Sequence, residues 1–230
     1  MRKLAVAAVA IISFANAAFA ADMPAKMPVK AAPIIAPAYN WTGVYVGING
    51  GIMWNRFNWT AAGGTSTGDF TSTGAVFGGT LGANYQLPNT AWVLGIEGDW
   101  DWANSKGSTF NACVGGCQTE VKSLATLRGR VGYALVDRLL VYGTGGAAWA
   151  KFSPSLSGNA AGFTDYTQSG WVGGGGFEYA FWDNFSLKAE YLYVGLGTSP
   201  VFFAGTGIST TNRMSVARLG LNYRFSGLFR

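Results

Sequence analysis

Hydrophobic and polar residues alternate along eight stretches of the chain, and in each stretch the charged residues share a face with glycine and small polar residues. In residues 42–54, Val44, Val46, Ile48 and Ile52 lie on one face and Gly43, Tyr45, Gly47, Asn49 and Gly51 on the other. Residues 74–87 oppose Phe77, Leu81, Tyr85 and Leu87 to Gly74, Gly78, Gly82, Asn84 and Gln86. Residues 91–102 turn Trp92, Leu94, Ile96 and Trp100 one way and Glu97, Asp99 and Asp101 the other. Residues 121–134 set Ala125, Leu127, Val131 and Tyr133 against Lys122, Thr126, Arg128 and Arg130. The pattern continues in 139–151 (Val141, Ala147 and Trp149 against Tyr142 and Thr144) and 168–181 (Trp171, Phe177, Tyr179 and Phe181 against Gly170, Gly174, Gly176 and Glu178). In 185–195 it opposes Phe185, Leu187, Ala189, Tyr191 and Tyr193 to Ser186, Lys188 and Glu190. In 213–225 it opposes Ala217, Leu219, Leu221, Tyr223 and Phe225 to Arg218, Gly220, Asn222 and Arg224. A period of two predicts strands.

The connections alternate in length. Residues 55–73, 103–120, 152–167 and 196–212 are long and rich in Gly, Ser, Thr and Asn, whereas 88–90, 135–138 and 182–184 are short. Trp41, Trp92 and Trp182 fall at the short-turn ends, and Trp54, Trp100, Trp102, Trp149 and Trp171 toward the long ends, leaving only Trp59 outside two girdles. Indoles gather where hydrocarbon meets water, because the ring is apolar and its N–H wants a partner. A soluble barrel would put the apolar face inside and the charges outside. Charges turned to lipid would each cost a few kcal/mol at mid-bilayer. The pattern therefore predicts an all-β, eight-stranded antiparallel up-and-down transmembrane β-barrel of the outer membrane, with short periplasmic turns and long outer loops.

Composition agrees. Charged residues are 12% of the chain, aromatics 15%, and there are 34 glycines among 230 residues. Soluble domains carry roughly 25% charge. Residues 1–20 have the parts of a cleaved signal peptide: Arg2 and Lys3, an apolar core from Leu4 to Phe14, and Ala18-Phe19-Ala20 before the expected cut. Removing Arg2 and Lys3 lowers the formal charge from +5 to +3. Nothing gathers that charge into a stripe that tracks phosphates, which argues against nucleic acid as a partner. Residues 21–40, with proline at 24, 28, 33 and 37, read as an Ala/Pro-rich periplasmic arm, and residues 41–230 as the barrel. Cys113 and Cys117, the only cysteines, flank a Gly-rich stretch and are expected to form a disulfide in an oxidising compartment.

The inward charges predict a salt-bridge network in the lumen. Counting outward from the turns puts Glu178 opposite Lys188 and Glu190 opposite Arg218, and sets Glu97 and Asp99 beside Arg128 and Arg130. Buried charges persist only when paired and hydrogen-bonded. A charged constriction that selects ions is the functional alternative. Glu97, Asp99 and Asp101 also resemble a paired-carboxylate acid/base site. Two arginines on the neighbouring strand keep them ionised and unsuited to giving up a proton. The chain has no histidine, the side chain best suited to proton transfer at neutral pH, so no enzyme is expected. The runs at 143–146 and 173–176 lie inside strand patterns with no helix following, so they are not phosphate cradles. No cofactor or metal is expected.

Tyr39-Asn40-Trp41-Thr42-Gly43-Val44-Tyr45-Val46-Gly47, Phe177-Glu178-Tyr179, Lys188-Ala189-Glu190-Tyr191-Leu192-Tyr193 and Leu221-Asn222-Tyr223-Arg224-Phe225 together resemble the small outer-membrane immunogenic proteins of alphaproteobacteria, the RopB-type family. That family is similar to the transmembrane barrel of outer membrane protein A. The resemblance implies a non-enzymatic structural barrel and surface antigen supporting envelope integrity, with four exposed loops. A narrow porin-like channel and a loop-mediated adhesin or ligand binder are the alternatives. Tyr223 and Phe225 resemble the terminal signal read by the barrel-assembly machinery, although five residues follow Phe225. Outer-membrane lipid, lipopolysaccharide, host surfaces and other envelope proteins are the further partners implied.

Overall fold

The computed structural model describes residues 39–61, 63–64, 66–109, 117–156, 165–203 and 206–225. Eight antiparallel strands run in chain order: β1 (Gly43–Ala61), β2 (Ser66–Gln86), β3 (Trp92–Thr109), β4 (Cys117–Val136), β5 (Leu139–Leu156), β6 (Tyr166–Ala180), β7 (Phe185–Phe203) and β8 (Thr206–Phe225). Each pairs with the next, and β8 returns to β1 from Val44↔Phe225 to Ala61↔Ile208, so the barrel is closed. Closure leaves no strand edge with unpaired backbone groups, the condition for placing a sheet in hydrocarbon.

The middle of the barrel is apolar on its outer surface. Ile48, Ile52, Phe77, Leu81, Ile96, Leu127, Val131, Phe177, Leu187 and Leu219 are all exposed. In water this continuous band would far exceed the patches that soluble monomers tolerate. Aromatic rings bound it below, where Trp92 packs edge-on against Tyr133, and Phe185 against Tyr223. Trp54, Trp102, Trp149 and Trp171 bound it above. Trp92 and Trp102 are ten residues apart on β3. At ~3.3 Å per residue and a tilt of roughly 40°, that separation spans about 25 Å, the height of a lipid belt.

The strands continue well past the upper girdle. Much of the sequence expected to be long outer loops (55–73, 103–120, 152–167 and 196–212) is strand, leaving connections at 62–65, 110–116, 157–165 and 204–205. The alternation persists there with its sense reversed. Phe57, Phe70, Val121, Phe152, Val194 and Leu196 point inward and are buried. Arg56, Thr71, Asn104, Lys106, Lys122, Lys151, Thr167 and Arg213 face out. Above the membrane the wall meets water, so the polarity becomes that of a soluble barrel. The apolar cluster inside includes Met53, Leu124, Ala148, Ala150, Val172, Leu192, Met214 and Val216. A bulge where the β4–β5 register shifts, between Val121 and Ser123, turns Lys122 outward, against the inward position expected from its parity.

Phe152 and Lys151 are adjacent and test this inversion. Phe152 is fully buried, stacked on Tyr166 at 5.3 Å and edge-on to Phe57 at 6.2 Å. Phe152→Ala is expected to cost about 3–5 kcal/mol in denaturant unfolding from lipid vesicles. Lys151→Ala is expected to stay within about 0.5 kcal/mol. Equal effects at the two positions would contradict an apolar interior above the belt.

Candidate functional site

Between the girdles the inward face of every strand carries polar or small residues, and nine charged side chains meet there: Glu97, Asp99, Asp101, Arg128, Arg130, Glu178, Lys188, Glu190 and Arg218, all buried. Their exterior neighbours face lipid, so the lumen is the one place these charges can go.

Arg128 and Arg218 hold the centre. Arg128 reaches Glu190 at 2.8 Å and Asp99 at 2.7 Å, and it also donates to Glu97. Arg218 places Nε 2.8 Å from Glu190 Oε1, Nη1 2.7 Å from Asp101 Oδ2 and Nη2 2.9 Å from Asp99 Oδ1. Asp99 also accepts from the hydroxyls of Thr80 at 2.8 Å and Thr126 at 2.9 Å. Burial makes such pairing necessary, because an ion taken out of water persists only beside partners of opposite charge and hydrogen-bond donors.

A second group lies toward the short turns. Arg130 donates to Glu178 and to the Tyr45 hydroxyl at 3.1 Å, and its guanidinium stacks 3.7 Å from the centre of the Tyr142 ring. Tyr45 in turn donates to Glu97 at 2.7 Å. Glu178 also accepts from Ser186 and from Asn222 at 3.0 Å. Gly82 makes room for the Tyr45 ring, because a Cβ there would collide with it. Gly220 leaves a similar berth, its missing Cβ lying 3.3 Å from Lys188 Cε.

Glu190 and Arg218 are in register across β7 and β8 and in direct contact. Glu178 and Lys188 are also in register across β6 and β7, but Lys188 crosses the lumen to Glu97 at 2.9 Å. Register sets where Cβ atoms stand; a four-carbon stem lets the amine reach a carboxylate on another strand. Arg128 stands opposite Glu97 across β3 and β4, where the two are paired. Asp101 and the hydroxyls of Tyr45 and Tyr142 complete the network, the Tyr142 hydroxyl lying 3.2 Å from Glu190. The tyrosines share the inward parity of their strands, and that was the available signal.

Trp41 was expected in the lower girdle. It lies instead inside the mouth, 2% exposed, against Val93, Leu140, Tyr142 and Ala180. Residues 39–42 cross beneath the lumen, fixed by Tyr39 N–H donating to Asp137 at 2.7 Å and Trp41 N–H to Gln86 at 3.0 Å. The Tyr39 ring sits 4.4 Å from the Arg224 guanidinium. Tyr223 and Phe225 lie at the outward lower rim, edge-on to each other at 5.1 Å. Cys117 begins β4; Cys113, and with it the expected disulfide, lies outside the described residues.

Charges above the membrane behave differently. Asp165 takes a hydrogen bond from Ser153 and lies 3.3 Å from Lys151 and 3.4 Å from Lys122. The Ser153 hydroxyl, aided by the two lysines, holds its carboxyl below the ordinary range. This contribution is complete above the usual carboxylate pKa and is lost as pH falls through the depressed one.

Among the described residues, removing Arg218 takes from Asp101 its one ion-pair partner and leaves Asp99 and Glu190 paired with Arg128 alone, in a dry interior. Arg218→Leu is expected to destabilise the barrel by about 3–5 kcal/mol, read from denaturant midpoints in lipid vesicles. A loss under about 1 kcal/mol, the worth of an exposed pair, would show that the lumen is hydrated at this level.

Residues 4–225 match the family model for the outer membrane protein beta-barrel domain. The chain is 35% identical to the 31 kDa outer-membrane immunogenic protein of Brucella melitensis biotype 1 over 98% of its length and 100% of the relative's. It is 29% identical to the 25 kDa outer-membrane immunogenic protein of Brucella abortus biovar 1, covering 98% of this chain and 99% of that one. Among solved structures, the outer membrane protein OprG from Pseudomonas aeruginosa is similar in fold, with a TM-score of 0.50 at 13% identity, covering 81% of this chain and 98% of that one. A lipid-facing belt, a charged lumen and a match along almost its whole length agree: the chain belongs to the outer membrane protein beta-barrel domain family and resides in the outer membrane.

Proposed function

We propose that this chain is a structural barrel and surface antigen that supports the integrity of the envelope, and neither a channel nor an enzyme. The observation that carries this reading is a lumen filled at three successive levels. Trp41 and its apolar neighbours occupy the mouth, the ion network the middle, and the cluster around Phe57, Phe152 and Leu192 the upper third. Small barrels of eight strands are filled by side chains in this manner. The names of the Brucella relatives support the antigen reading. The composition, without histidine, supports a non-catalytic role.

The partners follow from the surfaces. Outer-membrane lipid covers the belt, and lipopolysaccharide meets the wall above it. The aromatic rim at Tyr223 and Phe225 suits recognition by the barrel-assembly machinery. The connections 62–65, 110–116, 157–165 and 204–205 are the parts offered to host surfaces or other envelope proteins.

Planar-bilayer recordings of the purified protein are expected to be silent. A steady conductance that is lost on Arg128→Ala or Glu190→Ala would overturn the plugged-lumen reading in favour of a charged channel. For the antigen reading, an epitope tag inserted in 110–116 is expected to stain intact cells, and one in the turn around Asn89 only permeabilised cells. The opposite staining would invert the orientation and remove the loops from the surface.

A further inference from the structure

Outward on β1 and β8, Arg56 and Arg213 stand directly opposite each other in register. Like charges in this position destabilise a strand pair, so their juxtaposition calls for a third party. The other outward lysines of the upper wall have carboxylates: Lys106 has Glu120 at 3.9 Å, and Lys122 and Lys151 share Asp165. Among the described residues the Arg213 side chain meets no hydrogen-bond partner and no carboxylate within ion-pair distance. Arg56 has only Asp69, with Nε 3.9 Å from Oδ2 and both side chains more than half exposed. Asp69 is itself held by Asn58 at 2.9 Å.

The level of the pair is equally informative. Arg56 follows Trp54 by two residues on the same face, and Arg213 precedes Ser215, which pairs with Trp54 and Tyr193. The two guanidiniums therefore sit one step above the upper aromatic girdle, where lipid headgroups lie. A groove of about 360 Å³ opens there, with Trp54 and Tyr193 below the arginines and Thr71 and Thr73 beside them. Gly195, opposite Arg213, adds no side chain, and its place is covered by the Trp171 indole, whose ring lies 5.6 Å from Tyr193. An anion that also carries sugar and acyl chains finds forked donors above, hydroxyls at the side and aromatic surface beneath. Paired guanidiniums match phosphate oxygens in both charge and geometry.

We propose that Arg56 and Arg213 form a clamp for the phosphate of a phosphorylated glycolipid of the outer leaflet. The clamp neutralises their mutual repulsion and fixes the barrel's height by its polar wall as well as by its belt. This inference rests on residence in the outer membrane and is independent of whether the lumen conducts.

Retention of diphosphoryl lipid A by the full, folded chain is the measurement, made by native mass spectrometry from detergent micelles. Arg213→Gln is expected to weaken retention about fivefold, and Arg56→Gln/Arg213→Gln roughly thirtyfold, from about 1 kcal/mol per basic residue at a lipid surface. Lipid A stripped of phosphate is expected to bind all three proteins equally weakly, and inorganic phosphate is expected not to displace the intact lipid. Undiminished retention by the double variant would overturn the proposal. So would displacement by inorganic phosphate, which would mark a free-anion site. Heat-modifiable mobility establishes that each variant is folded. In lipid-free detergent Arg213→Gln is expected to raise the unfolding temperature, because the repulsion is relieved there. A fall would mean that Arg213 serves the wall alone.

Discussion

Hydrocarbon on the outside of the wall admits no charge, and the rest of the barrel answers to that exclusion. Across the belt the charged side chains of the described residues are driven to the lumen, where water is too scarce to solvate them. Arg128 and Arg218 then have to satisfy carboxylates from two strands, β3 and β7, at once. The inward glycines follow from the same demand. A barrel this narrow holds a tyrosine such as Tyr45 only where a neighbour such as Gly82 has no side chain. The network is a consequence of the lipid as much as the belt is.

Once the wall rises clear of the membrane the exclusion ends, and the strands change sides without changing period. The upper tier packs Phe57, Phe70 and Phe152 in its interior and shows Arg and Lys to water. Some of its inward polar groups pair with one another: Asn55 donates to Ser105 at 2.7 Å and Asn212 to Gln168 at 2.6 Å. The chain thus combines two solvent regimes in one continuous sheet, with tryptophan at the join.

This join also explains what was legible in the sequence. All eight strands, their order and their faces within the belt could be read from period two, because one solvent acts on the whole stretch. The outer halves of the strands could not, because a pattern sought with apolar residues outward loses Phe57, Val121 and Phe152, which point inward. Lys122 was misplaced because a bulge costs one residue of parity and leaves no mark in composition. Trp41 was assigned to the girdle from its closeness to a strand end, although it precedes the strand and folds under the mouth. Of the site, Glu190 with Arg218 was readable because both the register and the reach are short. The path of Lys188 to Glu97 was not, because a long side chain answers to the field of the whole lumen.

The apolar interior of the upper tier separates the connections from the membrane below them. Each joins strands already cemented by their own core, several residues above the last lipid contact. A change of length or composition in 62–65, 110–116 or 157–165 therefore transmits little to the belt or to the ion network. For a protein at a bacterial surface this amounts to a fixed pedestal with replaceable tips: a lineage can redraw what an outside observer meets while leaving untouched the part that has to be built into the membrane.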